Sequence, residues 1–191
     1  MNEEIFETVL STLSPAGVLH LAPMGVRYQG DSVLLMPFRP STTLDNILAT
    51  RQAVLNLVLD PRIFAGCVTG RRDWPTVSAQ HVKGHRLQAA LAHVELELST
   101  LSDDAERPRL LMARVHAESH RPFIGCNRAQ AAVIEGAVLV SRLRLLPTAR
   151  IEAEMAQLQI AIDKTAGPQA REAWAWLQQA VAEHRTRGVG R

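Results

Sequence analysis

The chain has 191 residues, of which 47% are hydrophobic and 21% charged, and 21 basic against 19 acidic residues give a formal net charge of +2 at pH 7. This composition excludes a disordered chain, and the near-neutral balance argues against electrostatic binding of nucleic acid. Two cysteines are too few for a disulfide scaffold. No apolar run approaches the roughly 20 residues of a membrane span, and no signal peptide is visible, so we expect a soluble cytoplasmic protein that binds no membrane.

Short strands joined by tight turns are predicted for the beginning of the chain. β-forming residues dominate 5–13, 18–27 and 32–38, and the turns between these segments contain Gly17 and Gly30. Three consecutive strands with such short connections predict an antiparallel meander.

A short helix and a fourth strand follow the meander. The helix is predicted over 44–49, with Thr42 or Thr43 as the N-cap whose side chain accepts a hydrogen bond from a free amide of the first turn. The strand is predicted over 53–59, and Asp60-Pro61 begins a further helical turn because Asp caps well and Pro suits the first helical position.

Two more strands are predicted over 87–100 and 110–117. In the first of them alternate residues are apolar and belong to a core: Ala90, Ala92, Val94, Leu96 and Leu98. The other face carries Leu91, His93, Glu95 and Glu97. Six strands with one crossing helix predict a closed or partly closed small antiparallel barrel.

The period of the apolar residues becomes helical after Asn127, which is predicted to cap a helix ending near Leu145. The middle of this helix, 131–140, is apolar on nearly every side, so it is either buried or part of an oligomer interface. A helical hairpin broken at Gly167-Pro168 follows. We therefore predict an α+β chain with a barrel domain over 1–125 and a helical region over 126–191.

The usual catalytic and nucleotide-binding patterns are absent from the sequence. The seven histidines form no HExxH pattern and no Cys/His pair at ligand spacing, so no metal site is predicted. Neither Cys67 nor Cys126 lies in a sequence typical of an activated thiol. There is no GxGxxG after a strand and no Walker-type loop. Catalytic residues therefore stay unassigned.

One polar segment, 39–46, contains the components of a phosphate site. Arg39 supplies charge, and Ser41, Thr42 and Thr43 supply hydroxyl donors. The start of the predicted helix adds free amides and the positive end of its dipole. The alternative is an ordinary Ser/Thr-rich cap after an edge strand.

Several short motifs, taken in their order and spacing, resemble one family over nearly the whole chain. They comprise Ala22-Pro23-Met24-Gly25-Val26, Thr43 with Asn46, the run 54–60, and Asn127-Arg128-Ala129 with Glu135 and Arg142. The sequence resembles the FMN-binding split barrels, in the branch labelled domain of unknown function 447. The resemblance implies a homodimer with FMN in a cleft between subunits and the flavin phosphate at the loop between the third and fourth strands.

The resemblance also implies which residues touch the cofactor. Arg39, Ser41, Thr42 and Thr43 would bind the phosphate, and Asn46 would brace their loop. The backbone of Met24, Gly25 and Val26 would run beside the isoalloxazine ring. Asn127 and Arg128 would close the site from the neighbouring subunit, although for Asn127 a helix cap alone is an equal alternative.

Two functions follow from this resemblance. The first is an FMN-dependent oxidoreductase of unidentified substrate, reduced by a nicotinamide or a deazaflavin. The second is a non-catalytic module that holds FMN or another phosphorylated ligand. A protein whose helical tail docks a partner remains a third alternative, which requires no cofactor.

Overall fold

The structure is a computed structural model that describes residues 4–189. The described residues divide into two compact units, one formed by 4–58 with 73–123 and the other by 59–72 with 124–189. The strands are β1 Phe6–Leu13, β2 Leu19–Gln29, β3 Ser32–Leu35, β4 Gln52–Leu57, β5 Thr76–Ser78, β6 His85–Leu87, β7 Ala92–Ser102 and β8 Arg109–Ser119. The helices are α1 Thr42–Thr50, α2 Pro61–Val68, α3 Arg128–Ser141, α4 Thr148–Thr165 and α5 Pro168–Val189. The predicted domain limits, 1–125 and 126–191, stay a prediction.

Six strands of the first unit close into a barrel in the order β1-β2-β3-β8-β7-β4, with every neighbouring pair antiparallel. Its interior is apolar and includes the predicted inward residues Val94, Leu96 and Leu98. Leu44 and Ile47 of α1 belong to the same core. The small antiparallel barrel followed by C-terminal helices is therefore confirmed.

The strand limits differ from the prediction by more than two residues in two places. β3 ends at Leu35 instead of continuing to residue 38, since Pro37 has no amide hydrogen to donate to a ladder. β7 begins at Ala92 instead of residue 87, because 88–91 form the turn that enters the strand.

A two-stranded hairpin, β5–β6, was not predicted, and it covers the outer face of the barrel. Its three-residue strands are too short to show an alternating pattern. The hydroxyl of Ser11 donates to the carbonyl of His85 over 2.6 Å, and the amide of Leu87 donates to Oδ1 of Asn56 over 2.7 Å. A Cβ on Gly84 would lie 3.0 Å from Cγ2 of Val54, so glycine permits the close approach. The polar side chains beneath the hairpin are thereby buried with partners.

The carboxylate of Glu95 holds the tip of this hairpin against the barrel. One oxygen accepts from the amide of Gln80 over 2.7 Å, and the other accepts from the amides of His81 and Val82 over 2.6 and 2.9 Å. The Glu95 side chain is fully buried. Burial opposes its ionisation, but the hydrogen bonds from these amides and from His93 outweigh burial and lower the pKa of Glu95 to about 2.

We expect Glu95→Gln to lower the free energy of unfolding by about 2 kcal/mol at about pH 7, because an NH₂ group then faces an amide that needs an acceptor. A carboxyl pKa depressed in the folded state stabilises above its unfolded value and ceases to do so as the pH falls through the folded one. The wild-type advantage in denaturant unfolding should therefore shrink between about pH 5 and about pH 2. Glu97→Gln, at an exposed position of the same strand, is the control and should change little.

The second unit consists of α2, α3 and the predicted hairpin of α4 and α5. α3 ends at Ser141, earlier than the predicted Leu145. The amides of Leu145 and Leu146 bond back to the carbonyl of Arg142, so the chain turns before it reaches Pro147. None of the described helices is long and apolar enough to cross a membrane.

Gly136 allows α3 to pack closely on α4 and α5. A Cβ at this position would lie 2.8 Å from Cζ3 of Trp174 and 3.0 Å from Cδ1 of Leu177. The Trp174 ring cannot easily yield, because it is buried and its Nε1 donates to Gln159 over 2.6 Å. This contact needs a residue without a side chain.

We expect Gly136→Val to lower the free energy of unfolding by about 2 kcal/mol, since overpacking costs more than the helix propensity that valine adds over glycine. Denaturant unfolding followed by tryptophan fluorescence measures the change. Ala131→Val places the same residue at an exposed position of α3 and should cost a few tenths of a kcal/mol. Equal losses in the two variants would contradict a packing role for Gly136.

Candidate functional site

The N-terminus of α1 carries the polar segment 39–46 that the sequence predicts as a phosphate site. Ser41 is the N-cap: its backbone is extended and its hydroxyl accepts from the amide of Leu44 over 3.2 Å. The prediction that Thr42 or Thr43 caps the helix is therefore wrong, because both lie inside the first turn. As the first two helical residues, they have amides with no acceptor within the helix. These amides can bind an anion.

The side chains at this end of the helix differ in how accessible they are. Thr42 is exposed, whereas Thr43 is buried and only 3% of it is accessible. Asp45, the acidic residue of the first turn, is exposed and adds negative charge to an otherwise anion-attracting helix end. The Thr42 hydroxyl is thus the exposed side-chain donor of this helix end, beside the amides that the first turn leaves without acceptors.

Arg39 makes several contacts with the turn between β7 and β8. Its Nη2 donates to Oδ1 of Asp103 over 2.6 Å, and its Nε donates to the carbonyl of Asp104 over 3.2 Å. Both partners of the ion pair are solvent-exposed, so the pair contributes about 1 kcal/mol at most. The guanidinium can therefore exchange this carboxylate for another anion at small cost.

Asn46 fixes the position of α1 on the barrel. It is buried, and its Nδ2 donates to Oγ1 of Thr12 on β1 over 3.0 Å. Leu44 and Ile47, on the same helix, are buried in the barrel core. The helix N-terminus is consequently held in a defined place next to β1 and its neighbour β2.

The predicted backbone segment Met24, Gly25 and Val26 lies in β2, where the barrel has an open edge. β2 pairs with β1 from Leu19 to Val26, whereas β3 pairs only with 27–29. In an antiparallel strand alternate residues direct their amides to opposite sides, so part of the backbone of 19–26 faces an edge that no described strand occupies. An edge of this kind offers hydrogen bonds to a planar ligand.

Asn127 and Arg128 lie in the second unit, at the start of α3. Asn127 caps the helix as predicted: its Oδ1 accepts from the amide of Ala129 over 2.8 Å, and its Nδ2 donates to the carbonyl of Thr165 over 3.1 Å. Arg128 is exposed. The capping role is confirmed, and the ligand role of both residues stays a prediction.

A second group of titratable side chains lies on the outer face of β7 and β8 and was not predicted from the sequence. Its members are His93, Glu95, His116, Glu118 and His120. The sequence does contain a pattern that could have indicated this group: His-x-Glu in one strand and His-x-Glu-x-His in the next. Residues two apart in a strand lie on the same face, so each pattern places its titratable side chains together. Spacing alone could not reveal that the two strands pair in a register that joins the groups.

Solved structures share this fold. The FMN-bound protein MM1853 of Methanosarcina mazei superposes with a TM-score of 0.80 at 22% identity, over 94% of this chain and 96% of that one. The 2-nitrobenzoate 2-nitroreductase NbaA of Pseudomonas fluorescens gives a TM-score of 0.53 at 20% identity, over 60% of this chain and 64% of that one. A flavin reductase-like protein of Haemophilus somnus gives 0.52 at 13% identity, over 60% and 80%.

Comparison with protein families gives matches over most of the chain. Residues 6–121 match the N-terminal domain of the family described as "Protein of unknown function (DUF447)", and residues 127–179 match a second domain with the same description. The two matches follow one another in the order expected for the family and confirm the resemblance found in the sequence. The chain belongs to the DUF447 family.

Proposed function

We propose that the protein binds FMN at the N-terminus of α1 and acts as an FMN-dependent oxidoreductase. The observation that carries the proposal is that Asn46 ties α1, whose N-terminus can bind an anion, to β1, the strand that pairs with the open-edged β2 of a six-stranded barrel. Support comes from the FMN-bound DUF447 protein of Methanosarcina mazei, which has the same fold over nearly its whole length.

The donors at α1 fit a phosphate. The amides of Thr42 and Thr43 and the exposed Thr42 hydroxyl would hold it, with the helix dipole adding favourable charge. Arg39 would join them after leaving Asp103, which costs little for an exposed pair. Ser41 acts on the backbone, because its hydroxyl already caps the helix. The exposed carboxylate of Asp45, in the first turn, would repel the phosphate, so the phosphate would have to lie away from it.

The ring of the flavin would lie along β2. Amides of the segment Met24, Gly25 and Val26 that face the open edge can bond its pyrimidine side, and the partly buried Met24 offers an apolar contact. The carbonyl of Met24 accepts from the hydroxyl of Thr8 over 2.7 Å, which holds this part of the strand in place. Aromatic residues make up only 4% of the chain, so backbone and aliphatic groups would form the walls.

A bound flavin supplies the hydride chemistry itself, so the protein's residues have to bind, orient and shield it. This fits the lack of an assigned acid or base at the site. The reductant would be a nicotinamide or a reduced deazaflavin. A non-catalytic module that only holds FMN remains the alternative. Reduction of the bound flavin by such a donor distinguishes the two functions.

We expect the purified protein to retain FMN on gel filtration and to show a bound-flavin absorbance in the near-UV and blue. Anaerobic addition of NADH, NADPH or a reduced deazaflavin should bleach that absorbance. Retained flavin that none of these donors reduces favours the binding module. Protein that retains no flavin after incubation with excess FMN contradicts both readings.

We expect Arg39→Ala to raise the Kd for FMN about tenfold, equivalent to about 1.4 kcal/mol, and to leave the Kd for riboflavin unchanged, because only FMN carries the phosphate. Asp103→Asn should lower the Kd for FMN, since Arg39 no longer has to leave a carboxylate. Titrations that follow flavin fluorescence measure both ligands.

Arg107→Ala is the matched control for these two variants. Arg107 lies close to Arg39 in the chain fold, where it stacks on Phe38 at 4.5 Å and donates to the carbonyl of Met36 over 3.2 Å. It has no assigned contact with the phosphate, so the ratio of the FMN and riboflavin constants should stay at the wild-type value. If Arg39→Ala raised the Kd for FMN and the Kd for riboflavin equally, Arg39 would only hold the turn containing Asp103 in place.

The homodimer and the participation of Asn127 and Arg128 stay predictions. Sedimentation of the full chain tests the dimer. Arg128→Ala tests the second point, because Arg128 is exposed and its removal leaves the Asn127 cap intact.

A further inference from the structure

The titratable side chains on the outer face of β7 and β8 come together through the register of the two strands. His93 lies directly opposite Glu118, and Glu95 lies directly opposite His116. His120 follows β8 two residues after Glu118, and its amide donates to the carbonyl of Leu91 over 2.7 Å, so the chain continues alongside β7. Facing pairs in an antiparallel ladder have Cβ atoms about 5 Å apart, which brings these side chains within mutual reach.

The imidazoles of His93 and His120 meet edge to edge. Nδ1 of His93 lies 2.9 Å from Nε2 of His120, and the two rings are inclined by only 14°. Possible ligand atoms of His93, Glu118 and His120 all lie within 4.8 Å of one another. Two imidazole nitrogens and a carboxylate therefore converge on one place.

Glu95 determines which ring nitrogen of His93 carries the hydrogen. The Glu95 oxygens accept hydrogen bonds from three backbone amides. The carboxylate therefore also acts as an acceptor towards Nε2 of His93, which lies 3.2 Å away. Nε2 must therefore carry the hydrogen, and a neutral His93 presents the lone pair of Nδ1 to the place shared with His120 and Glu118. A carboxylate behind a histidine in this way is the usual outer partner of a metal ligand.

His116 adds to the group a buried nitrogen that has no hydrogen-bond partner. Its Nε2 is buried and is, within the described part of the chain, the one buried side-chain nitrogen or oxygen without a hydrogen-bond partner. It lies 3.9 Å from Oε2 of Glu118, beyond hydrogen-bond distance. A buried nitrogen without a partner is costly, and a cation bound by Glu118 would give it one.

We propose that this group is a binding site for a divalent transition metal of the zinc type. The ligands are Nδ1 of His93, Nε2 of His120 and the Glu118 carboxylate. His116 is within reach of a further coordination position of the metal, and Glu95 orients His93. Imidazole with one carboxylate suits zinc-type ions, whereas Mg²⁺ and Ca²⁺ prefer oxygen ligands alone.

The distance between the ligand nitrogens of His93 and His120 is close to the distance that zinc binding requires. Two nitrogens bound to zinc at about 2.0–2.1 Å in tetrahedral geometry lie about 3.3 Å apart, and those of His93 and His120 are 2.9 Å apart. His120 is half-buried and can turn by the few tenths of an ångström needed. Arg86 and Arg121 add positive charge near His120, and the two carboxylates of the group offset it.

The full chain, freed of metal with EDTA and without added flavin, tests the site by calorimetric titration with Zn²⁺. We expect saturable binding of one Zn²⁺ per chain, a higher Tm with Zn²⁺, and no response to Mg²⁺. Titration with Co²⁺ should give the visible absorption of a cobalt ion of low coordination number with nitrogen ligands.

His120→Ala and Glu118→Ala remove ligands that are not fully buried, so both variants should fold, which circular dichroism checks. Each should weaken Zn²⁺ binding about 100-fold and abolish the rise in Tm, since loss of a ligand costs at least as much as loss of an outer partner. His184→Ala, in α5, is the control and should bind as the wild type does.

Three outcomes would overturn the site. They are the absence of saturable Zn²⁺ binding by the wild type, equal binding by His120→Ala and His184→Ala, and an equal response to Mg²⁺. Any of these would leave Glu95, His93 and His120 as a structural chain of hydrogen bonds. None of the proposed metal ligands is a residue of the proposed flavin site, so the result is independent of the FMN proposal.

Discussion

The hydrogen bonds between the Glu95 carboxylate and three consecutive amides are the constraint on which the outer layer of the barrel depends. They hold the tip of the β5–β6 hairpin against β7. The hairpin in turn covers Ser11 and Asn56 and supplies their partners. Without it, several polar groups of β1 and β4 would face water or lose partners, and His93 would lose the acceptor that sets its tautomer. One buried charge thus organises both a structural layer and a group of possible metal ligands.

A different kind of constraint places the candidate cofactor site. α1 is tied to the barrel by the Asn46–Thr12 hydrogen bond and by Leu44 and Ile47 in the core, so its N-terminal amides have a fixed direction. β2 is longer than the part of it that β3 covers, which leaves backbone donors and acceptors at an edge. Both features come from backbone geometry. A site built in this way suits a cofactor that brings its own chemistry, and it needs few particular side chains.

Much of the barrel could be predicted, because alternating apolar residues mark strands whose two faces differ, as in Val94, Leu96 and Leu98. Capping was less certain: Ser41, Thr42 and Thr43 are all good caps, and only the backbone conformation shows that Ser41 is used. The β5–β6 hairpin could not be predicted from strands of three residues. For the candidate flavin site, the sequence indicated the polar segment, but the partner of Arg39, the carboxylate of Asp103, lies 64 residues away in the chain.

The amino-acid sequence was enough to predict the fold class, the positions of most strands and helices, the family and the helix cap at Asn127, because these depend on local periodicity and on short-range hydrogen bonds. Three features could be seen only in the folded chain: the open edge of β2, the pairing of Arg39 with Asp103, and the convergence of His93, Glu118 and His120. These features depend on which strands pair and in which register. Register is set by packing and hydrogen bonding between distant segments, so local composition does not encode it.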